Sequence, residues 1–303
     1  MIKVAIVGAD TRPAGELIRL LIDHPDVSLT TLVAPGRAGH QVAATHHGLI
    51  GRDIPPFTDR FNPKAVDMVF IADHSPLGSE LLHSAGHDLK VVALCSDTPL
   101  HEDIAGVEYG LSEINRKPLV RGATRAVVPT PTASVSLVAL WPLALNLLLN
   151  TDITVRTRIP ADMMERADAE AIALEIVSRL AKAQSSFRGK VTVDFTPSPS
   201  ARAMRMECDI PCRTELAEIL RLYDSHFDDH NFTFHVSYPV GMEEVEGTDR
   251  CVISLSKPTP DTLHVEAVAD ARLRGGAGEA VHLMNLLFGL HERVGLTLKA
   301  SVY

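Results

Sequence analysis

Ile2 to Ile22 reads IKVAIVGADTRPAGELIRLLI, and its two halves follow different periods. Residues 2–7 form an almost unbroken apolar run that stops at Gly8. From Pro13 onward the apolar positions fall at Leu17, Ile18, Leu20, Leu21 and Ile22, the spacing of a helix face. A run that is apolar on both sides is what a strand covered on both faces requires. Strand, glycine turn and helix together read as the opening βα unit of a doubly wound parallel sheet. A dinucleotide-binding fold keeps its pyrophosphate turn here. Glycine is needed there for the tight turn and for close approach of backbone to phosphate. The glycines of a G-x-x-G-x-x-G spacing would fall at Gly8, Thr11 and Ala14. Only the first is glycine, and Gly15 lies one residue beyond the last. As a bare motif the turn is also compatible with an ordinary βα connection that binds nothing.

Beyond this unit, short apolar runs at 28–34, 67–72, 89–95 and 126–129 alternate with a helical stretch around 79–85. The second run ends Val33-Ala34-Pro35-Gly36-Arg37, with no acidic residue placed for a ribose 2′-hydroxyl. Arg37 could pair with a 2′-phosphate instead, which would favour NADP over NAD, and it reads equally well as a solvated loop arginine. Residues 133–149 are strongly apolar but contain Ser134, Ser136, Pro142 and Asn146. They read as a buried helix rather than a membrane span. After about residue 150 a helix over 169–183 is followed by strand-like runs at 190–195, 204–212, 232–238, 250–256 and 262–269, with one helix at 215–223 among them. That order implies an α+β unit with a mixed or antiparallel sheet. A last helix spans 275–289. The expected organisation is α/β. A Rossmann-type doubly wound domain covers 1–130, completed by 275–303, and an α+β domain covers 131–274.

The chain of 303 residues is 46% hydrophobic and 22% charged, with a formal net charge of −9. An acidic surface argues against nucleic acid and anionic membranes as partners, which call for clustered Lys and Arg. Four cysteines (Cys95, Cys208, Cys212, Cys251) and a strand-like N-terminus without a signal-peptide pattern place the expectation in the cytoplasm.

Several segments carry a resemblance. Beyond residues 2–22, they are His46-His47-Gly48, residues 67–81 (DMVFIADHSPLGSEL), residues 91–100 (VVALCSDTPL), Tyr109-Gly110-Leu111 with Glu113-Ile114-Asn115-Arg116, Phe195-Thr196-Pro197, Gly247-Thr248, and residues 274–289 (RGGAGEAVHLMNLLFG). In this order they resemble N-acetyl-γ-glutamyl-phosphate reductases, nearly end to end. The resemblance implies a two-domain semialdehyde-dehydrogenase fold and NADPH-dependent reduction of an acyl phosphate in arginine biosynthesis. A cysteine thiolate would displace phosphate to leave a thioester, which hydride would release as an aldehyde. It implies cofactor contacts at Gly8, Ala9, Thr11, Arg12, Arg37, Arg274 and Gly275. It also implies a homo-oligomer joined through the second-domain sheet.

The family's nucleophile lies in a Pro-Gly-Cys-Tyr-Pro-Thr segment. Here residues 128–134 read VPTPTAS, and Ala139-Leu140-Trp141-Pro142-Leu143 fixes the register so that Pro131 occupies the cysteine's position. Proline has no nucleophile and no amide to offer an oxyanion. The family's His-Arg-His falls on residues 164–169 (MERADA), and no histidine occurs between His101 and His226. The family's glycine-rich substrate loop has no counterpart, because no glycine lies between Gly122 and Gly189. Its Asp-Asn-x-x-Lys becomes Asp270-Ala271-Arg272-Leu273-Arg274. Two readings therefore stand, an altered NADP-dependent reductase and a catalytically silent member. The second would bind a small-molecule ligand, regulate, or partner an active paralogue. Cys95, at a strand end, reads as a core residue or a relocated thiol. Cys208 and Cys212 share a strand face but lack further zinc ligands nearby. Asp224, His226, Asp228, Asp229 and His230 read as a solvated helix end, with the two histidines spaced i,i+4. His46-His47 reads as loop. No metal site is expected.

Overall fold

In the computed structural model, residues 1–84, 86, 88–94, 103–300 and 302 are described. The apolar runs of the first third become parallel strands, most of them joined by helices. The elements are β1 (Ile2–Val7), α1 (Arg12–Leu21), β2 (Val27–Val33), β3 (Phe57–Thr58), β4 (Met68–Ile71), α2 (Pro76–Ser84), β5 (Lys90–Leu94), β6 (Glu108–Tyr109), α3 (Ser112–Val120) and β7 (Arg125–Val128). Among the described residues they form a sheet of order β3-β2-β1-β4-β5-β7-β6, parallel at every pairing. Helix α1 buries Ala14, Leu17, Ile18, Leu20 and Leu21; each leucine or isoleucine so buried contributes roughly 1.5–3 kcal/mol.

The chain then builds α4 (Pro131–Leu145), β8 (Ile153–Ile159), α5 (Ala161–Met164), α6 (Ala169–Ala183), β9 (Val191–Pro197), β10 (Ala203–Pro211), α7 (Leu216–Phe227), β11 (Thr233–Val236), β12 (Cys251–Thr259) and β13 (Thr262–Asp270), and ends with α8 (Ala277–Leu287). Helix α4 buries every residue except Trp141 and Leu145, so it lies wrapped by its neighbours rather than presenting one face. The second sheet has the order β11-β12-β13-β10-β8-β9. It is mixed: β10 is antiparallel to both β13 and β8, and β12 is antiparallel to β13. The β8–β9 and β11–β12 pairs are parallel. Strand β8 was not among the expected elements. Its sequence ITVRTRI alternates buried and exposed residues without a break, which is the period of a half-buried strand.

The chain divides into two compact units. One holds the described residues up to Leu94 with Asp103–Pro129 and Gly276–Thr297, and the other is built on Thr130–Gly275. In the first, α8 packs against α1 and β5. Behind it lies a buried polar cluster. His24 Nε2 meets Asn285 Oδ1 at 3.1 Å, and the Asn285 amide donates to the carbonyls of Glu292 and Val294. His282 Nε2 meets Glu292 Oε2 at 2.9 Å, and the same carboxylate pairs with Arg116. No helix among the described residues is long and apolar enough to cross a membrane.

Candidate functional site

In the first sheet, chain order reverses between β1 and β4, which are neighbours although β2 and β3 intervene in sequence. At such a switch point the strand ends diverge and leave a crevice for ligand. Gly8 ends β1 there. Its φ of +74° is a left-handed conformation, and a Cβ at this position would stand 2.5 Å from Asp73 Cβ, just past β4. Glycine is therefore required by backbone shape and by the neighbouring strand at once.

Thr11 is not simply a missing glycine. It is the N-cap of α1, accepting from the Ala14 amide, and its hydroxyl oxygen lies 2.8 Å from the Gly8 carbonyl oxygen and 3.0 Å from that of Ala72. The hydroxyl thereby ties the turn to the end of β4. The amides of Gly8 and Ala9 both donate to the Val33 carbonyl, that of Thr11 to Gly8 and that of Gly15 to Thr11. Pro13 has none to give. Arg12 is exposed, and Ala9 is buried. Arg37 is exposed and its Nε lies 3.7 Å from Asp10 Oδ2.

His46, read as loop, braces this turn. Its Nε2 lies 2.8 Å from the Ala9 carbonyl, which makes Nε2 the protonated nitrogen. A Cβ on Gly15 would meet Nδ1 at 2.6 Å, so the ring fills the notch that Gly15 leaves. Asp73 braces the turn between β4 and α2, accepting from the Ser75 hydroxyl at 2.8 Å, while Ser75 Oγ accepts from the Gly78 amide of α2.

The second unit holds the position of the expected nucleophile. Pro131 is the first residue of α4, behind the N-cap Thr130. The Thr130 hydroxyl accepts from the Ala133 amide at 3.4 Å and donates to Glu175 Oε2 of α6 at 2.9 Å, in surroundings where both residues are almost wholly buried. Gly275 takes a φ of +67°, and a Cβ there would come within 2.4 Å of Pro131 Cα, so the loop after β13 presses on the helix start. Arg274 is fully buried. The loop is anchored by Asp270, the counterpart of the aspartate in the family's Asp-Asn-x-x-Lys. Its buried carboxylate accepts from Arg202 Nε (2.8 Å), the Gly247 amide (2.7 Å) and the Arg272 amide (2.9 Å). Arg272 in turn reaches Asp162 at 2.8 Å.

Cys95 lies outside the described residues. Cys208, Cys212 and Cys251 are buried and reduced, and burial, reinforced by the Asp209 charge, pushes the Cys208 thiol up to about 12. Such a thiol stays protonated and is no nucleophile. Helix α7 runs on to Phe227, and the rings of His226 and His230 stack with centroids 5.6 Å apart. His235 Nδ1 lies 3.2 Å from Asp224 Oδ1.

Residues 3–121 match the family model described as semialdehyde dehydrogenase, NAD binding domain. Over 324 residues, and the whole of both chains, the protein is 31% identical to the N-acetyl-γ-glutamyl-phosphate reductase of Parabacteroides distasonis. It is equally similar, at 31% over 326 residues, to that of Phocaeicola vulgatus, again over both whole chains. Among solved structures it resembles aspartate semialdehyde dehydrogenase II of Vibrio cholerae, crystallised with ASA (TM-score 0.71, 14% identity, 95% of this chain and 98% of that one). The aspartate semialdehyde dehydrogenase of Candida albicans, crystallised with NADP, is similar to the same degree (TM-score 0.71, 12% identity, 95% and 98%). At these identities the solved structures establish the fold.

Proposed function

Since the chain belongs to the N-acetyl-γ-glutamyl-phosphate reductase family, we propose that it is a member which has given up the acyl-phosphate reduction and serves as a binding, regulatory or partner subunit. The observation that carries this reading is the start of α4, where Pro131 follows a Thr130 hydroxyl already committed to Ala133 and Glu175. A covalent mechanism needs an activated nucleophile with a base in reach. Pro131 supplies neither, the three described cysteines are buried, and α5 and the turn after it carry Met164, Glu165 and Arg166 where the resemblance calls for histidines.

The same reading extends to the cofactor. The family model is that of a nicotinamide-nucleotide domain, but the turn around Gly8 does not fit a pyrophosphate well. The amides of Gly8 and Ala9 go to Val33, that of Thr11 to Gly8 and that of Gly15 to Thr11, and Asp10 sits beside Arg37. NADP binding is accordingly weak or absent. We read the protein as a homo-oligomer built on the second unit's sheet, with an active paralogue as the natural heterologous partner.

The test is a coupled assay of purified protein with N-acetyl-γ-glutamyl phosphate and NADPH, beside calorimetry with NADPH alone. No turnover is expected, since losing the nucleophile of such machinery costs on the order of 10⁶ in rate. A turnover near the ordinary ~10 s⁻¹ would overturn the proposal and favour the altered-reductase reading, with Cys95 as the first residue to replace. A submicromolar dissociation constant for NADPH would show that the turn is remodelled for the nucleotide rather than closed to it.

A further inference from the structure

Strands β10 and β13 pair antiparallel over nine consecutive positions, Ala203 to Pro211 against Asp270 to Thr262. Even-numbered residues of β10 up to Ile210 are buried. Arg205, Glu207 and Asp209 alternate with them and project from the opposite face. In the register, Glu207 stands directly across from Glu266, and Asp209 directly across from His264. Two carboxylates placed opposite one another on a rigid sheet repel. Nothing in the local chain forces that arrangement, because a neutral residue at either position would serve the strand equally well. Arg205 pairs with Glu266 at 3.5 Å, and Arg156, across from Glu207 on β8, reaches Asp209 at 2.7 Å. Glu207, His264 and Glu266 are each half-buried, and they bring one donor atom apiece within 4.8 Å of one another.

We propose that Glu207, His264 and Glu266 form a binding site for a divalent transition-metal ion, of which zinc is the first candidate. Donor atoms bound at about 2.1 Å around a tetrahedral ion stand about 3.4 Å from one another, so the three side chains close the site by moving together by roughly an ångström. One imidazole with two carboxylates suits zinc and its first-row neighbours better than magnesium or calcium, which prefer oxygen alone. The histidine is already oriented for the task. His264 Nδ1 lies 2.8 Å from Asp209 Oδ1. A carboxylate in that place accepts the Nδ1 proton and leaves the Nε2 lone pair for a metal, the support that metal-bound histidines usually have. The ligands come from adjacent strands at the middle of the sheet, so the ion would clamp β10 to β13 and neutralise the opposed glutamates. It is a structural role, independent of whether the family reaction survives.

The experiment is calorimetric titration of ZnCl2 into untagged, chelator-stripped full-length protein at pH 7.5, repeated with Mg²⁺ and Ca²⁺. One zinc per chain is expected, with no comparable binding of the other two. Asp209→Asn should weaken zinc by about 10–100-fold, and His264→Gln and Glu207→Gln should each weaken it further. The double variant His226→Gln/His230→Gln removes the competing i,i+4 histidine pair and should bind as the parent does. If a ligand variant fails to fold, the visible absorption of Co²⁺ added to the parent and to Glu207→Gln decides instead. The parent should show a protein-bound cobalt spectrum that the variant lacks. Absence of one-site binding in the parent, affinity unchanged in His264→Gln and Glu207→Gln, or loss only in the His226/His230 variant would each overturn the proposal.

Discussion

Thr130→Val tests whether the head of α4 has become a structural joint. Valine matches threonine in shape, so the substitution opens no cavity and removes only the hydroxyl. Two bonds go with it. The cap to the Ala133 amide at 3.4 Å is long, and losing an N-cap costs about 1 kcal/mol. The bond to Glu175 Oε2 at 2.9 Å lies where neither residue meets solvent, and leaving a buried charged acceptor short of a donor costs about 1.5–3 kcal/mol. The effects share one side chain and do not simply add, so a loss of about 2–4 kcal/mol is expected. Trp141, the single tryptophan, lies on α4, and its fluorescence during urea unfolding reports on this unit. With a slope of about 2–3 kcal/mol/M, the midpoint should fall by about 1 M. Thr130→Ser keeps both bonds and should unfold close to the parent. Coincident midpoints for the valine and serine variants would show that the Thr130–Glu175 bond is not holding the helix, and the structural account of this position would fail.

Gly8→Ala should destabilise the first unit by about 1–3 kcal/mol from backbone strain alone, with more from the clash against Asp73 at 2.5 Å; urea unfolding followed by circular dichroism gives the value, and a neutral result would mean that the turn is looser than described. The pH dependence should carry the mark of His24, whose pKa is lowered by burial against the opposing pull of Asn285. Its Nδ1 accepts from the Asp26 amide at 3.2 Å and so must be unprotonated in the fold. A histidine with a depressed folded pKa contributes stability above its unfolded value near 6.5 that is lost as pH falls toward the folded one. The midpoint should therefore drop as pH falls below about 6.5, and His24→Gln should flatten that slope; an equal slope in both proteins would assign the acid sensitivity elsewhere. Light scattering at micromolar concentration should give twice the chain mass of 32.8 kDa, since closed two-fold pairs are the commonest assembly; a monodisperse monomer would remove the oligomer and weaken the partner-subunit reading.

What the amino-acid order decided by itself is everything that depends on neighbours within a turn or two of chain. The apolar run 2–7 ended by Gly8, and the helical spacing of Leu17, Ile18 and Leu21, fixed the first βα unit because strand and helix periods are local. Pro131 at the nucleophile's position, and the want of histidine between His101 and His226, were likewise plain in the string of residues. Even the signal for β8 was there, in the strict alternation of residues 153–159. Thr11 was legible as a cap, followed as it is by Arg12 and Pro13, though a glycine template drew attention to what it was not. The rest came from contacts that no local pattern encodes. His46 lies 37 residues from the Ala9 carbonyl it holds, Thr130 lies 45 from Glu175, and His24 lies 261 from Asn285. Each pairing depends on the path of the intervening chain, and a polar side chain looks the same in sequence whether it faces water, substrate or a buried partner. Only the folded arrangement shows that Thr11, His46, Asp73, Thr130 and Asp270 are bonded to their own protein. The physical reason is burial: away from water each donor must find an acceptor, and here the protein's own carbonyls and carboxylates are the acceptors within reach.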